Sequence, residues 1–168
     1  MELTEAKQQF INSWGAFGTQ WGINRTMAQI YALLLVSPDP LTQDDIMQQL
    51  VISRGNVNMN IRDLIGWGIV EKIIISGERK EHFVADKDIW KASIQIIKER
   101  KKRELEPMLK MLAQLENVEG DKKDKDIKQF TAVIKDINKM GTSAEKFINM
   151  MMNAEGNWFA ETVFKMFK

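Results

Sequence analysis

At 168 residues, 44% hydrophobic and 28% charged, the chain is long enough for one large or two small globular domains with a buried core. A formal net charge of +1 rules out a polycation, so any nucleic-acid binding has to come from a local patch. The absence of cysteine excludes disulfides and thiolate metal sites, and the lone His82 builds no metal centre by itself.

Phe10, Trp14, Phe17 and Trp21 recur at helical spacing and predict a first amphipathic helix over residues 4–19. Asn24 can cap a second helix, on which Met27, Ile30, Tyr31, Leu34 and Leu35 repeat at threes and fours. Pro38-Asp39-Pro40 ends it, because proline removes a donor and restricts the residue before it. Thr42 opens a third helix with Asp45 three residues on, a capping-box pattern, and Ile46, Met47 and Leu50 face inward. Ser53 is the N-cap of a fourth. There Val57, Ile61, Leu64 and Ile65 form one apolar stripe. Opposite stand Gly55, Asn56, Met59, Arg62 and Asp63, with Asn58 and Asn60 on the flanks. Gly66 and Gly68 terminate that helix. Ile69–Ile75 and Lys80–Ala85 are short and rich in β-branched residues, so they pair as a hairpin across Ser76-Gly77-Glu78-Arg79. Three helices followed by a hairpin make a winged helix-turn-helix, assigned to residues 1–88.

From residue 89 the pattern changes to long helices, assigned to dimerisation and effector sensing through residue 168. Trp90, Ile94, Ile97, Lys101, Leu105, Met108, Leu112 and Leu115 follow a narrow helical seam, which Pro107 must kink or restart. Glu119–Lys125 is a charged linker. Ile127, Phe130, Ile134 and Ile137 predict a further helix that Gly141 stops, and Thr142-x-x-Glu145 is a capping box for the last one. That last helix carries more apolar circumference than one partner face can cover. Phe147, Met151, Phe159, Val163 and Phe167 are therefore expected to meet a second copy of the chain. The fold class is mainly α with a small β-hairpin wing.

Trp21 to Ala85 resembles the GbsR/MarR-like transcriptional regulators, a winged-helix family. WGINRTMAQIYALLLVSPDPLT, SRGNVNMNIRDL, WGIV and GERKEHFVA carry the resemblance, in that order, within residues 10–95. It implies a homodimeric regulator that binds a double-stranded DNA operator and dimerises through its C-terminal helices. Arg54 stands where lysine is frequent and Asn58 where serine is frequent, differences that bear on the operator sequence.

Asparagines at alternate positions are poor helix formers, so a plain solvated surface does not account for the fourth helix. Asn pairs with adenine and Arg with guanine, while Ser53 and the helix N-terminus suit a phosphate. The DNA-contacting set is Thr42, Ser53, Arg54, Gly55, Asn56, Asn58, Met59, Asn60, Arg62, Gly77, Arg79 and Lys80. Between Ser53 and Lys80, Arg54, Arg62, Lys72, Arg79 and Lys80 face only Asp63, Glu71 and Glu78, so placement matters more than total charge. The basic run Lys98–Arg103 reads as a solvated helix surface paired with nearby glutamates. The tryptophans and Tyr31 contain the makings of an aromatic cage for a quaternary ammonium effector, but core packing is the favoured reading. The effector is otherwise unidentified.

No Walker loop, dinucleotide-binding glycine pattern, nucleophile elbow or metal-ligand spacing is present, so no enzyme, cofactor or metal is expected. The longest apolar run, Ile30–Val36, is too short to span a bilayer, and the first residues lack a leader's charge and apolar core. A cytoplasmic DNA-binding repressor is the expectation. The alternative is a winged-helix protein-interaction module that does not bind DNA.

Overall fold

The computed structural model describes residues 1–120 and 123–153. The chain divides into two compact units, Met1–Ala92 and a second beginning at Ser93.

In the first unit, α1 (Leu3–Gln20) lies on α2 (Arg25–Val36). Asn24 caps α2 as predicted, its side-chain oxygen accepting from the Thr26 and Met27 backbone N–H groups at 2.9 and 3.2 Å. α2 is the centre of the core, with Ile30, Ala32, Leu33 and Leu34 buried. The face that α1 buries is not its aromatic row but Ile11, Gly15 and Gly18. A Cβ added at Gly18 would lie 2.6 Å from the Ala28 Cβ, so glycine is what lets the two helices approach. Phe10, Trp14, Phe17 and Trp21 instead pack on one another with tilted rings along α1 and its C-cap, ring centroids 5.4, 6.1 and 5.3 Å apart, with Phe17 and Trp21 exposed. At the other end of α2, the Lys87 ammonium donates to the carbonyls of Leu34 (2.6 Å), Leu35 (2.7 Å) and Ser37 (3.0 Å), capping the helix C-terminus.

α3 (Gln43–Leu50) begins with the expected capping box: Asp45 N–H donates to the Thr42 hydroxyl oxygen, and Thr42 N–H donates to the Asp45 carboxylate. It ends at Val51, which has φ 54° and is 90% exposed. A β-branched residue in the left-handed region is strained, and this side chain is too exposed to recover much by packing. Asparagine tolerates that conformation. Val51→Asn is therefore expected to raise stability by about 1 kcal/mol, read as an increased melting temperature.

α4 (Arg54–Gly66) turns Val57, Asn60, Ile61 and Leu64 into the core. Ile65, expected on that stripe, is 38% exposed, and Asn60, expected on a flank, is 1% exposed. Both differences have one cause. The stripe advances by threes and fours from Val57 through 60, 61 and 64, leaving residue 65 past its edge. Asn60 is tolerated inside because its amide donates to the Asn56 carbonyl (2.8 Å) and to Asn56 Oδ1 (2.7 Å).

The wing strands are β2 (Val70–Ile74) and β3 (Glu81–Ala85). They belong to a three-stranded antiparallel sheet, order β1-β3-β2, in which β1 (Leu41–Thr42) pairs Leu41 with Phe83 and Thr42 with His82. The hairpin turn carries Gly77 at φ 89°, a conformation that favours glycine. His82 is buried in β3, with Nδ1 3.1 Å from the Lys80 carbonyl and Nε2 3.0 Å from the Glu78 carboxylate.

α5 (Ile89–Arg100) continues into a π-helical turn, Lys101–Leu105, and then α6 (Glu106–Leu115). Pro107, in the first turn of α6, has no N–H and would clash with the carbonyl four residues earlier. Widening the preceding turn accommodates it, and the Glu106 N–H reaches back five residues to the Lys101 carbonyl. That turn also aligns Lys101 with Glu106 (2.8 Å), while Glu145 lies 3.1 Å from the same ammonium. α7 runs unbroken from Lys125 to Asn153. Gly141 was expected to stop a helix and Thr142 to cap the next; both lie inside this one. Gly141 is buried against α6, where an added Cβ would come within 2.7 Å of Leu109 Cδ2, so it serves close helix approach rather than termination. Exposed Phe130 and Ile137 flank the buried Ile134 and Gly141 on α7, and exposed Val133, Met140 and Phe147 follow at intervals of seven farther round the helix. Met151 is half-buried, while Phe159, Val163 and Phe167 lie outside the described residues, as does Trp158. Among the described residues, no helix is long and apolar enough to cross a membrane.

Candidate nucleic-acid interface

The outward residues of α4 and of the wing converge on one carboxylate. Asp44, in the first turn of α3, accepts from Arg54 Nη2 through Oδ1 (2.7 Å) and from Lys80 Nζ through Oδ2 (2.9 Å). The Gln43 side-chain amide adds a 3.0 Å bond to the Arg54 carbonyl. The start of α4 and the turn end of the wing hairpin are thus tied to one place on α3. Between them lies an open cleft of about 170 Å³, lined by Thr42, Gln43, Asp44, Arg54, Lys80, Glu81 and Phe83. The hydrogen bond from Lys80 holds the Asp44 carboxyl below the usual carboxylate range, and Asp44 in turn raises Lys80.

Two of the expected contact residues do not face outward. Thr42 is buried, and its hydroxyl donates to Asp45 Oδ2 at 2.6 Å, an arrangement that also lowers the Asp45 pKa. Asn60 is in the core and acts on its neighbour, engaging the Asn56 side-chain oxygen so that the amide of half-buried Asn56 is fixed. Ser53 spends its hydroxyl oxygen on the Asn56 N–H as an N-cap (3.3 Å). The remaining residues are presented to solvent: Arg54, Gly55, Asn58, Met59 and Arg62 on α4, and Gly77, Arg79 and Lys80 in the wing. Nothing lies within 4 Å of a Cβ built at Gly55, so the fold itself does not demand glycine there.

Sequence reasoning passed over Asp44 because its partners are 10 and 36 residues away. Asn60 had a signal, its place three residues after Val57 and four before Leu64. The basic run pairs with nearby glutamates as expected, Arg100 with Glu104 and Arg103 3.8 Å from Glu99, but Lys101 is not solvated, its side chain 13% exposed between Glu106 and Glu145. Of the aromatic residues weighed for a cage, Trp67 and Tyr31 are buried and Trp14 is half-buried. Among the described residues, no cluster of histidine and carboxylate side chains could hold a metal ion.

No protein-family model matches the chain. It is 27% identical over 89 residues to the HTH-type transcriptional repressor GbsR of Bacillus subtilis (strain 168), a stretch that is 53% of this chain and 49% of that one. It is 25% identical over 76 residues to the HTH-type transcriptional regulator MmpR5 of Mycobacterium tuberculosis, covering 45% and 46% respectively. The chain spans about half the length of the curated relatives it matches. A crystal structure of a transcriptional regulator superposes with a TM-score of 0.57 at 16% identity, over 86% of this chain and 99% of that one, a likeness of fold. These comparisons agree with the resemblance read from the sequence: the relatives are helix-turn-helix regulators of transcription.

Proposed function

We propose that this winged-helix chain, related to helix-turn-helix transcriptional regulators, is a sequence-specific DNA-binding regulator acting as a homodimer. The observation that carries the reading is the convergence of Arg54 and Lys80 on Asp44, which sets the outward face of α4 and the wing on one continuous surface. α4 would enter a major groove with Asn58, Met59 and Arg62 toward the bases and Arg54, at its first residue, beside the backbone, while Arg79 at the hairpin turn reaches the flanking backbone or minor groove. Occupation of a promoter excludes polymerase, so repression is the expected sign.

The competing reading is a winged-helix module that binds protein and not DNA. Its support is Asp44 itself, which neutralises part of the positive charge on this surface. Titrating salt against a mixed-sequence duplex separates the two. DNA binding predicts a log affinity that falls linearly with log salt, by about 0.9 for each phosphate neutralised, and a protein module predicts no binding.

Arg62 and Arg79 are exposed and carry no ion pair with any described residue, which makes them clean probes of the two kinds of contact. Arg62→Ala should cost about 1–3 kcal/mol on a selected site and relax its sequence preference. Arg79→Ala should weaken every duplex alike and reduce the salt slope by about one. Equal loss of discrimination from both would mean that the roles are misassigned.

A further inference from the structure

Three of the five cations between Ser53 and Lys80 are already paired within the protein. Lys72 lies 2.9 Å from Glu81, and Arg54 and Lys80 share Asp44. The Asp44 pairs differ from the other one in spanning three elements, α3, the start of α4 and the wing. They also sit in the surface that, on the reading above, would meet the DNA backbone. The carboxylate takes one cation on each oxygen, as a backbone phosphate would with its two free oxygens. All three side chains are substantially exposed (62% for Arg54, 64% for Lys80, 45% for Asp44), so the pairs are open to exchange with an incoming anion.

We infer that Asp44 is an internal stand-in for a DNA phosphate, an autoinhibitory contact that occupies Arg54 and Lys80 in the free protein and releases them when a duplex binds. The inference rests on the DNA-binding reading and adds a quantity to it. A phosphate that captures Arg54 and Lys80 leaves the Asp44 carboxylate beside it, so the three side chains together bring one net positive charge to the backbone rather than two. Binding then releases one fewer counterion than the number of phosphate contacts alone would give. Because the exchange occurs on any sequence, Asp44 sets the overall affinity and its salt dependence, while discrimination is left to the base-facing side chains of α4.

The test is Asp44→Asn in the full chain, with affinity for a short mixed-sequence duplex measured across a salt series. Asn keeps the size of the side chain and removes its charge. Binding at low salt should tighten by about threefold to tenfold, the scale of two exposed ion pairs. The slope of log affinity against log salt should steepen by about 0.9. Asp44→Glu, which keeps the charge, should restore the original slope. In a background of Arg54→Gln with Lys80→Gln, removing Asp44 should produce almost none of that gain.

A comparable gain in that background would make Asp44 a source of general repulsion and overturn the inference. Weaker binding by Asp44→Asn would make Asp44 a strut that positions the two cations, and would overturn it equally. Salt-dependent binding by the unaltered chain with an unchanged slope in Asp44→Asn removes this inference alone. Absence of binding by the unaltered chain and by Asp44→Asn removes the DNA-binding reading together with it.

Discussion

Replacing Val133 and Met140 together by glutamate is expected to leave the protein monomeric and to lower its affinity for a duplex with two half-sites by about a hundredfold or more, through loss of bivalent binding. Val133 is 50% exposed, Met140 70% and Phe147 53%, along the side of α7 that α6 does not cover. With Ala144 between Met140 and Phe147, apolar residues keep a 3-4 spacing from Phe130 to Phe147, the pattern a helix presents to another helix. An exposed stripe of this length is uncommon on a soluble monomer. Covering each such side chain is worth roughly 1.5–3 kcal/mol, so a few per protomer outweigh the entropy of association. Two glutamates in the seam would be desolvated without partners, which an association of this kind does not survive. Sedimentation equilibrium reads the oligomeric state, and footprinting reads whether two half-sites about one helical turn apart are protected. A dimer that persists in the double variant would move the interface to the aromatic row of α1, where Phe17 and Trp21 stand exposed.

Leu64→Ala should destabilise the first unit by about 2–5 kcal/mol, whereas Ile65→Ala should change stability by no more than about 0.5 kcal/mol. The two residues are adjacent and equally apolar, and their difference is geometric. Leu64 is 1% exposed and helps to hold α4 in the core, so its loss leaves a cavity; Ile65 is 38% exposed. At roughly 4–8 °C of melting temperature per kcal/mol for a unit of this size, thermal unfolding resolves them easily. Equal losses would mean that α4 is rotated by a large part of a turn, and the assignment of its outward side chains would fail with it.

Much of the winged unit was legible in the sequence because its signals are local. Asn24, the Thr42–Asp45 box and Ser53 are caps whose partners lie two or three residues away, and the structure uses each as read. The hairpin followed from β-branched runs on either side of a turn containing Gly77. What escaped was decided by residues distant in sequence. Strand β1 is only two residues long, and its partners His82 and Phe83 lie some forty residues on. Gly141 carries the composition of a helix stop, yet Leu109 across the helix pair makes it a contact point. The aromatic row of α1 has the spacing of a core stripe, but the buried side is chosen by two glycines that let α2 come closer. For the candidate interface, residue types and periodicity identified the outward side chains of α4 and the wing. The pairing of Arg54 and Lys80 with Asp44, and the inward turn of Thr42 and Asn60, needed three dimensions.

Lys87 gives the first unit a property of a different order. From Ser37 to Lys87 the chain makes one excursion, and it contains α3, α4 and all three strands. Beside the pairing of β1 with β3, the neck of that excursion is fastened by one ammonium bonded to three carbonyls, across a sequence separation of 50 residues or more. The entropy of closing a loop grows only with the logarithm of its length, so one polar knot gathers this long segment for little more than a short one would need. Every side chain proposed to read DNA hangs from this purse-string, and none of them bonds to the residue that draws it tight. Loss of one positive charge at the knot would loosen the neck, and the segment would then hang on the pairing of β1 with β3 and on the buried stripe of α4.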